Sequence, residues 1–364
     1  MARRQNEASW IESNNRWQIN VQRNGQRKTF TCSTPGKKGK IEAERKADKW
    51  LCGMEIDHIK LCNAWDLFLD DKKKTTGTPN CLKLDSIYRC WIEEPLGKKQ
   101  LSTITCQDWQ RIVNHAASEG KSKRTCGNIR ATATAFYAFA RKNRWEMEKP
   151  EYIDVPKSAP KGERTILQPE DIKTLFTHDL VTYRGKQTFE YYIYAYRLIV
   201  LLGLRRGELA GLMHSDIRNN ILHIQRSVNS LGEITGGKTK NAERKIYLPA
   251  SAIKLLDLQK DWLAGCGIES EYIFPSPSGD VMDTKALYKH WLKYREEYGI
   301  KSTLHELRHT MISLVKADMP EQLLKPIVGH GVNMDTFGVY GHEVEGDLER
   351  ASEILDNVFE NIVK

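Results

Sequence analysis

The chain has 364 residues, enough for two or three domains, and an apolar fraction of 40%, ordinary for a soluble globular protein, so wholesale disorder is set aside. A formal net charge of +9 favours a polyanionic partner, nucleic acid or an acidic membrane surface. Eight cysteines with no C-x-x-C pair are too sparse for a disulfide scaffold and fit a reducing cytoplasm, no charged-then-apolar leader pattern is read at the N-terminus, and the most apolar run, Ile193 to Leu204, contains Arg197 and falls short of the ~20 residues of a membrane span.

Residues 1–55 read as a small β-sheet followed by a helix. Trp17, Ile19 and Val21 alternate with Gln18, Asn20 and Gln22, Asn24-Gly25 is a two-residue hairpin signal, and Lys28, Phe30 and Cys32 alternate again. After Pro35-Gly36, the residues Ala43, Ala47, Trp50 and Leu51 recur at helical spacing and can cover the apolar face of that sheet. Between Arg3 and Lys49 twelve lysines and arginines face five acids, so the segment is strongly basic. Arg16, Arg23, Arg27 and Lys28 are its candidate nucleic-acid contacts.

Residues 56–150 turn helical, with Leu61, Trp65, Phe68 and Leu69 on one stripe and Ile129, Ala133, Phe136 and Ala140 on another, which predicts a bundle of about four helices. Thr105 with Asp108 has the spacing of an N-cap and its N3 partner. Lys121, Lys123, Arg124 and Arg130, with Arg141, Lys142 and Arg144 further on, can track a phosphate backbone; the plain alternative is a solvated charged face.

Residues 151–164, with Pro156, Pro160 and Gly162, have the composition of an interdomain linker. A last domain, 165–364, opens with Gln168-Pro169-Glu170, a helix start with proline at its first position. Ile221 to Val228 and Lys245 to Leu248 are expected strands flanking a Gly-rich turn, and the rest alternates amphipathic helices with short loops. The expected fold class is multidomain α+β: an N-terminal small β-sheet plus helix, a central helical bundle, and a C-terminal, mostly helical domain with a small β-sheet.

Four stretches of the last domain carry candidate chemistry. Gly203-Leu204-Arg205-Arg206-Gly207-Glu208 puts arginines at the end of an apolar helix, where capping is the plain role. Gly236-Gly237-Lys238-Thr239-Lys240 can carry a lysine on a flexible hairpin tip, or be a solvent-exposed turn. Leu304-His305-Glu306-Leu307-Arg308-His309 contains H-E-x-x-H, which on a helix can place two histidines for zinc with Glu306 as a base. Val328-Gly329-His330-Gly331 is followed ten residues after its histidine by Tyr340.

Taken together, in this order, the four stretches resemble the tyrosine recombinase family of phage and integrative-element integrases, from Thr165 to Tyr340. The preceding bundle resembles that family's core-binding, SAM-like domain, and the N-terminal sheet and helix are similar to its arm-type DNA-binding domains. The resemblance implies a site-specific recombinase that cuts and rejoins DNA through a 3′-phosphotyrosine and so integrates or excises a phage or mobile element. It makes Arg205 and Arg308 the grip on the scissile phosphate, Tyr340 the nucleophile, Lys238 the proton donor to the leaving 5′-oxygen, His305 an aid to proton transfer and His330 a hydrogen-bond donor to the phosphate. Arg206 and Lys240 compete with Arg205 and Lys238 by register, and buried Glu208 is expected to orient the neighbouring arginine.

The same resemblance implies no metal and no cofactor. It implies double-stranded attachment sites of core and arm type, a homotetramer on two DNA duplexes and work on DNA in the cytoplasm of a bacterial host, and leaves open whether a directionality factor and a DNA-bending protein are needed as further partners. Leu348, Ile354, Leu355, Val358, Phe359 and Ile362 form an apolar stripe on an expected final helix; the resemblance suggests docking on a neighbouring protomer, with return to its own domain as the alternative. Readings from other classes are a zinc metalloprotease built on His305 to His309 and a non-catalytic DNA-binding regulator. A type IB topoisomerase shares the chemistry, but the arm-like N-terminus favours an integrase.

Overall fold

The computed structural model describes residues 6–23, 26–51, 59–162, 165–236, 243–329 and 346–363. The chain divides into two compact units, Met1–Gly162 and Glu163–Lys364.

The first unit begins with a three-stranded antiparallel sheet in the order β1 (Ser9–Ile11), β2 (Arg16–Arg23), β3 (Gln26–Cys32). The strands β2 and β3 pair from Trp17 with Cys32 to Arg23 with Gln26, which leaves two residues for the connection, as the Asn24-Gly25 signal requires. Helix α1 (Gly36–Leu51) lays Ala43, Ala47, Trp50 and Leu51 over Ile19, Val21 and Cys32. Strand β1 lacks the alternation of its neighbours; it is held by the edge-on contact of Trp10 with Trp17 and by Glu44, which accepts the Ala8 N–H at 3.0 Å.

The bundle follows as α2 (Leu61–Thr75), α3 (Thr78–Ile87), a π-helical turn (Tyr88–Ile92) running into the single turn α4 (Glu93–Leu96), α5 (Cys106–Ser118) and α6 (Lys123–Lys142). Its centre is aromatic: Trp65 stacks on Tyr88 at 4.5 Å and on Phe136 at 5.6 Å, and Phe68 meets Phe136 edge-on. Thr105 and Asp108 form the reciprocal capping box at the start of α5. The stretch 151–162 is not bare chain. Ile153 and Ala159 are buried in the bundle core, and Gln110 holds the Asp154 backbone through both its amide atoms, because apolar residues between the prolines find cover on α5 and α6.

The second unit has α7 (Pro169–Thr177), a hairpin of β4 (Leu180–Tyr183) and β5 (Lys186–Phe189), and the wholly buried α8 (Ile193–Leu202). The short α9 (Arg206–Ala210) leads to β6 (Ile217–Arg218), β7 (Ile221–Ile224), β8 (Arg226–Val228), β9 (Ile234–Gly236) and β10 (Arg244–Tyr247). The sheet order is β10-β7-β6, with β8-β9 a separate hairpin. Then come α10 (Ala250–Gly265), α11 (Thr284–Glu297), α12 (Leu304–Val315), α13 (Glu321–Val328) and a final helix, Asp347–Val363. The final helix returns to its own unit: Ala351, Leu355 and Phe359 are buried in the same core as α8 and α12, and Asp356 caps α10. In the single chain Leu355 and Phe359 of the apolar stripe are buried and Ile354, Val358 and Ile362 are half-buried against the same core, which is the packing the alternative reading expects. No helix among the described residues is long and apolar enough to cross a membrane.

Candidate active site

The buried helix α8 ends because Gly203 adopts a left-handed conformation, φ 63°, that turns the chain and frees its carbonyl. Arg205 then N-caps α9, with Glu208 as the N3 residue accepting the Arg205 backbone N–H at 2.9 Å. The Arg205 side chain donates through Nη1 to Glu208 at 2.6 Å and through Nη2 to the carbonyl of Gly329 at 3.1 Å. Arg206, the competing residue, is the exposed first residue of α9.

Arg308 lies on the inner face of α12 and is 2% exposed. Its Nη1 donates to the Gly203 carbonyl and its Nη2 to the Val328 carbonyl. A third guanidinium joins them: Arg244, at the start of β10, donates through Nε to the Ile327 carbonyl at 2.6 Å and through both terminal nitrogens to Glu208 at 2.9 and 2.7 Å. The last carbonyls of a helix have no partners within it and carry the negative end of its dipole. At the end of α13 the successive carbonyls of residues 327, 328 and 329 each accept from a different arginine, which gathers three cations without three carboxylates.

The electrostatics follow from this crowding. Burial and the neighbouring Arg205 charge lower the Arg308 pKa to about 10, which still leaves it cationic at neutral pH. Burial alone would raise the Glu208 pKa, but its hydrogen bonds and charge contacts with Arg244 and Arg205 outweigh that and hold it at about 2. Glu208 is thus an ionised, buried carboxylate shared by two arginines. Sequence reasoning passes over Arg244, since a basic residue entering a strand after a Gly-rich turn has no local mark of burial.

His305 is exposed on the first turn of α12, one turn before Arg308, and its ring meets that of His309 edge-on at 4.8 Å. Glu306, the base of a zinc reading, is committed elsewhere. It accepts the Thr303 N–H at 2.6 Å, the Thr165 N–H at 3.0 Å and the Thr165 hydroxyl at 3.1 Å. Against burial, these bonds lower its pKa, so it is a helix cap and not a proton acceptor poised over a metal. Among the described residues no group of three or more His, Cys, Asp or Glu is placed to hold a metal ion. Lys238, Lys240, His330 and Tyr340 lie outside the described residues; of the expected catalytic set, Arg205, Arg308 and His305 are inside them, and the two arginines come together.

The expected DNA contacts of the first unit divide. The β2–β3 register puts Arg16 and Arg27 on the sheet face away from α1, among Gln18, Asn20, Gln22, Thr29 and Thr31. Lys28 pairs with Val21 on the helix-covered face, its ammonium 5.7 Å from the Phe30 ring centre, because period-two alternation sends neighbours to opposite faces. The side chain of Arg23 lies outside the described residues. In the bundle, Lys121, Lys123 and Arg124 are exposed around the N-terminus of α6, which Ser122 caps, and no acid sits in that first turn. Cations there oppose the helix dipole, an arrangement that favours an incoming anion. Arg130 is exposed further along α6 and donates to the Ile153 carbonyl at 3.4 Å.

The phage integrase family model matches residues 166–345. No curated protein sequence matches the chain significantly. Among solved structures, an integrase of the transposon Tn1549 in complex with a circular intermediate DNA superposes with a TM-score of 0.64 at 18% identity, over 81% of this chain and 98% of that one. A lambda integrase tetramer bound to a Holliday junction gives 0.61 at 16% identity, over 90% and 96%. A lambda integrase dimer bound to a core site gives 0.58 at 17%, over 94% and 97%. These likenesses show the fold, and the family match covers the segment that contains every residue of the arginine cluster. Through that segment the chain belongs to the phage integrase family of tyrosine recombinases, enzymes that break and rejoin DNA.

Proposed function

We propose that this recombinase acts at specific sites and that Tyr340 is its nucleophile. The phenolic oxygen attacks the scissile phosphorus, a 3′-phosphotyrosine bond forms as the bond to the 5′-oxygen breaks, and that oxygen leaves with a proton from Lys238. The freed 5′-hydroxyl of a partner strand then reverses the step, so the bond energy is kept. Arg205 and Arg308 stabilise the charge that grows on the non-bridging oxygens, for which planar guanidinium forks are suited. His305 assists proton transfer, and His330 donates a hydrogen bond to the phosphate.

The observation that carries this reading is the convergence of Arg205 and Arg308 on adjacent carbonyls at the end of α13, directly before His330. Two neighbouring cations, with the buried Glu208 carboxylate between Arg205 and Arg244, suit a phosphodiester. The biological outcome we infer is integration and excision of a phage or other mobile element in a bacterial cytoplasm. Four protomers would act on two duplexes, by analogy with the lambda integrase tetramer on its Holliday junction. The bundle's exposed cations would track core-site phosphates, and the polar sheet face with Arg16 and Arg27 would serve arm-type sites, with a directionality factor and a DNA-bending protein as accessory partners.

A nicked suicide duplex bearing the element's own attachment site tests the reading. Wild-type protein is expected to become covalently attached to the 3′ end, while Tyr340→Phe binds the duplex with unchanged affinity and forms no adduct. Covalent trapping of Tyr340→Phe would show that another residue attacks.

A further inference from the structure

Glu208 has two oxygens and two arginines compete for them. Oε1 accepts from Arg205 Nη1 at 2.6 Å and from Arg244 Nη1 at 2.9 Å; Oε2 accepts from Arg244 Nη2 at 2.7 Å and from the Arg205 backbone at 2.9 Å. Arg244 makes the two-point pair that guanidinium and carboxylate prefer, whereas the Arg205 side chain touches one oxygen only. Their exposure differs accordingly: the Arg244 side chain is 5% exposed and that of Arg205 39%. One arginine is committed inside the protein and the other is left open on the same carboxylate.

We propose that Arg244 is a positioning residue for DNA cleavage: by occupying both oxygens of Glu208 it prevents Arg205 from turning its whole fork onto that carboxylate, and so keeps Arg205 aimed at the phosphate. The inference rests on the recombinase reading of the site. Arg244 is suited to the task because its third donor, Nε, is anchored on the Ile327 carbonyl at 2.6 Å, which fixes the plane of the guanidinium. Remove it, and among the described residues the ion pair left to the buried Glu208 charge is the one with Arg205. The electrostatic gain of a second hydrogen bond then draws Arg205 inward.

A double-mutant cycle on single-turnover cleavage of the suicide duplex, at saturating protein, tests this. Arg244→Met is expected to lower the cleavage rate constant about tenfold or more while site binding changes little, because Arg205 is misdirected during chemistry. In the Glu208→Gln background, which has no carboxylate to capture Arg205, the same Arg244→Met change is expected to lower the rate about twofold or less. Equal losses in the two backgrounds would make Arg244 a brace for α13 and overturn the proposal, as would a wild-type rate for Arg244→Met. Where Arg244→Met alone does not fold, the step from Glu208→Gln to the double variant decides by itself: a loss of about twofold or less supports the proposal and about tenfold overturns it. Failure of the wild-type protein to form any covalent adduct would instead sink the recombinase reading.

Discussion

Ser251 gives Asp356 both its backbone N–H, at 3.0 Å, and its hydroxyl, at 2.5 Å, so a carboxylate on the final helix caps the first turn of α10 across 105 residues of chain. Ala250 adds its own N–H to the same carboxylate at 2.7 Å. Asp356→Ala strips the cap from helix dipole and orphan donors alike. Its expected effect is a loss of about 1–2 kcal/mol in urea unfolding of the second unit. An unchanged midpoint would mean that water serves α10 equally well.

Cutting the chain after His342 removes more than a tail. Leu355 and Phe359, 1% and 2% exposed, leave the core of the second unit with it. The truncated protein is expected to melt at lower temperature and to bind a hydrophobic dye, since removing two large buried side chains costs several kcal/mol. A truncated protein with the melting temperature of the full chain would show that this helix contributes nothing to its own domain.

The shared Glu208 carboxylate predicts an acid limit. Its folded pKa is about 2 against an ordinary 4.5, so between those values the unfolded chain binds a proton that the folded one does not. Stability from this group is complete above pH 4.5 and drains away as the pH falls toward 2. The contribution is on the order of 3 kcal/mol at neutral pH. Denaturant midpoints measured from pH 6 down to pH 3 should fall less steeply for Glu208→Gln than for the wild type; parallel curves would refute the assignment.

At the start of α6 two opposite effects are expected from one variant. Lys121→Gln combined with Lys123→Gln removes cations from the positive end of the helix and is expected to stabilise the bundle by about 0.5–1 kcal/mol. The same pair is expected to weaken DNA binding and to reduce the slope of log affinity against log salt by about 1 for each phosphate that is no longer neutralised. A stabilised variant with an unaltered salt slope would leave these lysines as a solvated face.

Gly203 links backbone conformation to the grip on Arg308. Its φ of 63° disfavours any side chain, and a Cβ there would clash with the Met311 methyl group unless that side chain moved. Gly203→Ala is expected to lose about 1–2 kcal/mol of stability. It should also slow cleavage more than it weakens site binding, because the carbonyl that orients Arg308 moves. Equal effects on both would place Gly203 in folding alone.

Much of the fold is legible in the chain because the signals are local and periodic. Ile19 and Val21 alternate with polar neighbours, so the first sheet and its covered face follow. The Thr105–Asp108 box is written in four consecutive positions. The β4–β5 hairpin is not legible: its turn uses Arg184 at φ 51° before Gly185, a left-handed arginine where an asparagine would be the usual mark. Charge groups Lys28 with Arg27, although their alternation on β3 puts them on opposite faces. The partnership of Arg244 with Glu208 joins positions 36 apart, and its anchor on Ile327 joins positions 83 apart. Such separations leave no trace in local spacing.

The end of α13 also determines how strongly the site attracts its substrate. Had each arginine been held by a carboxylate, the cluster would be neutral and indifferent to a phosphodiester. Peptide carbonyls orient the guanidinium groups through dipoles that carry no net charge, so among the described residues three arginines are set against the one carboxylate of Glu208, an excess of two positive charges. An incoming anion offsets this excess, and the protein is expected to be most tightly organised around its active centre when DNA is bound.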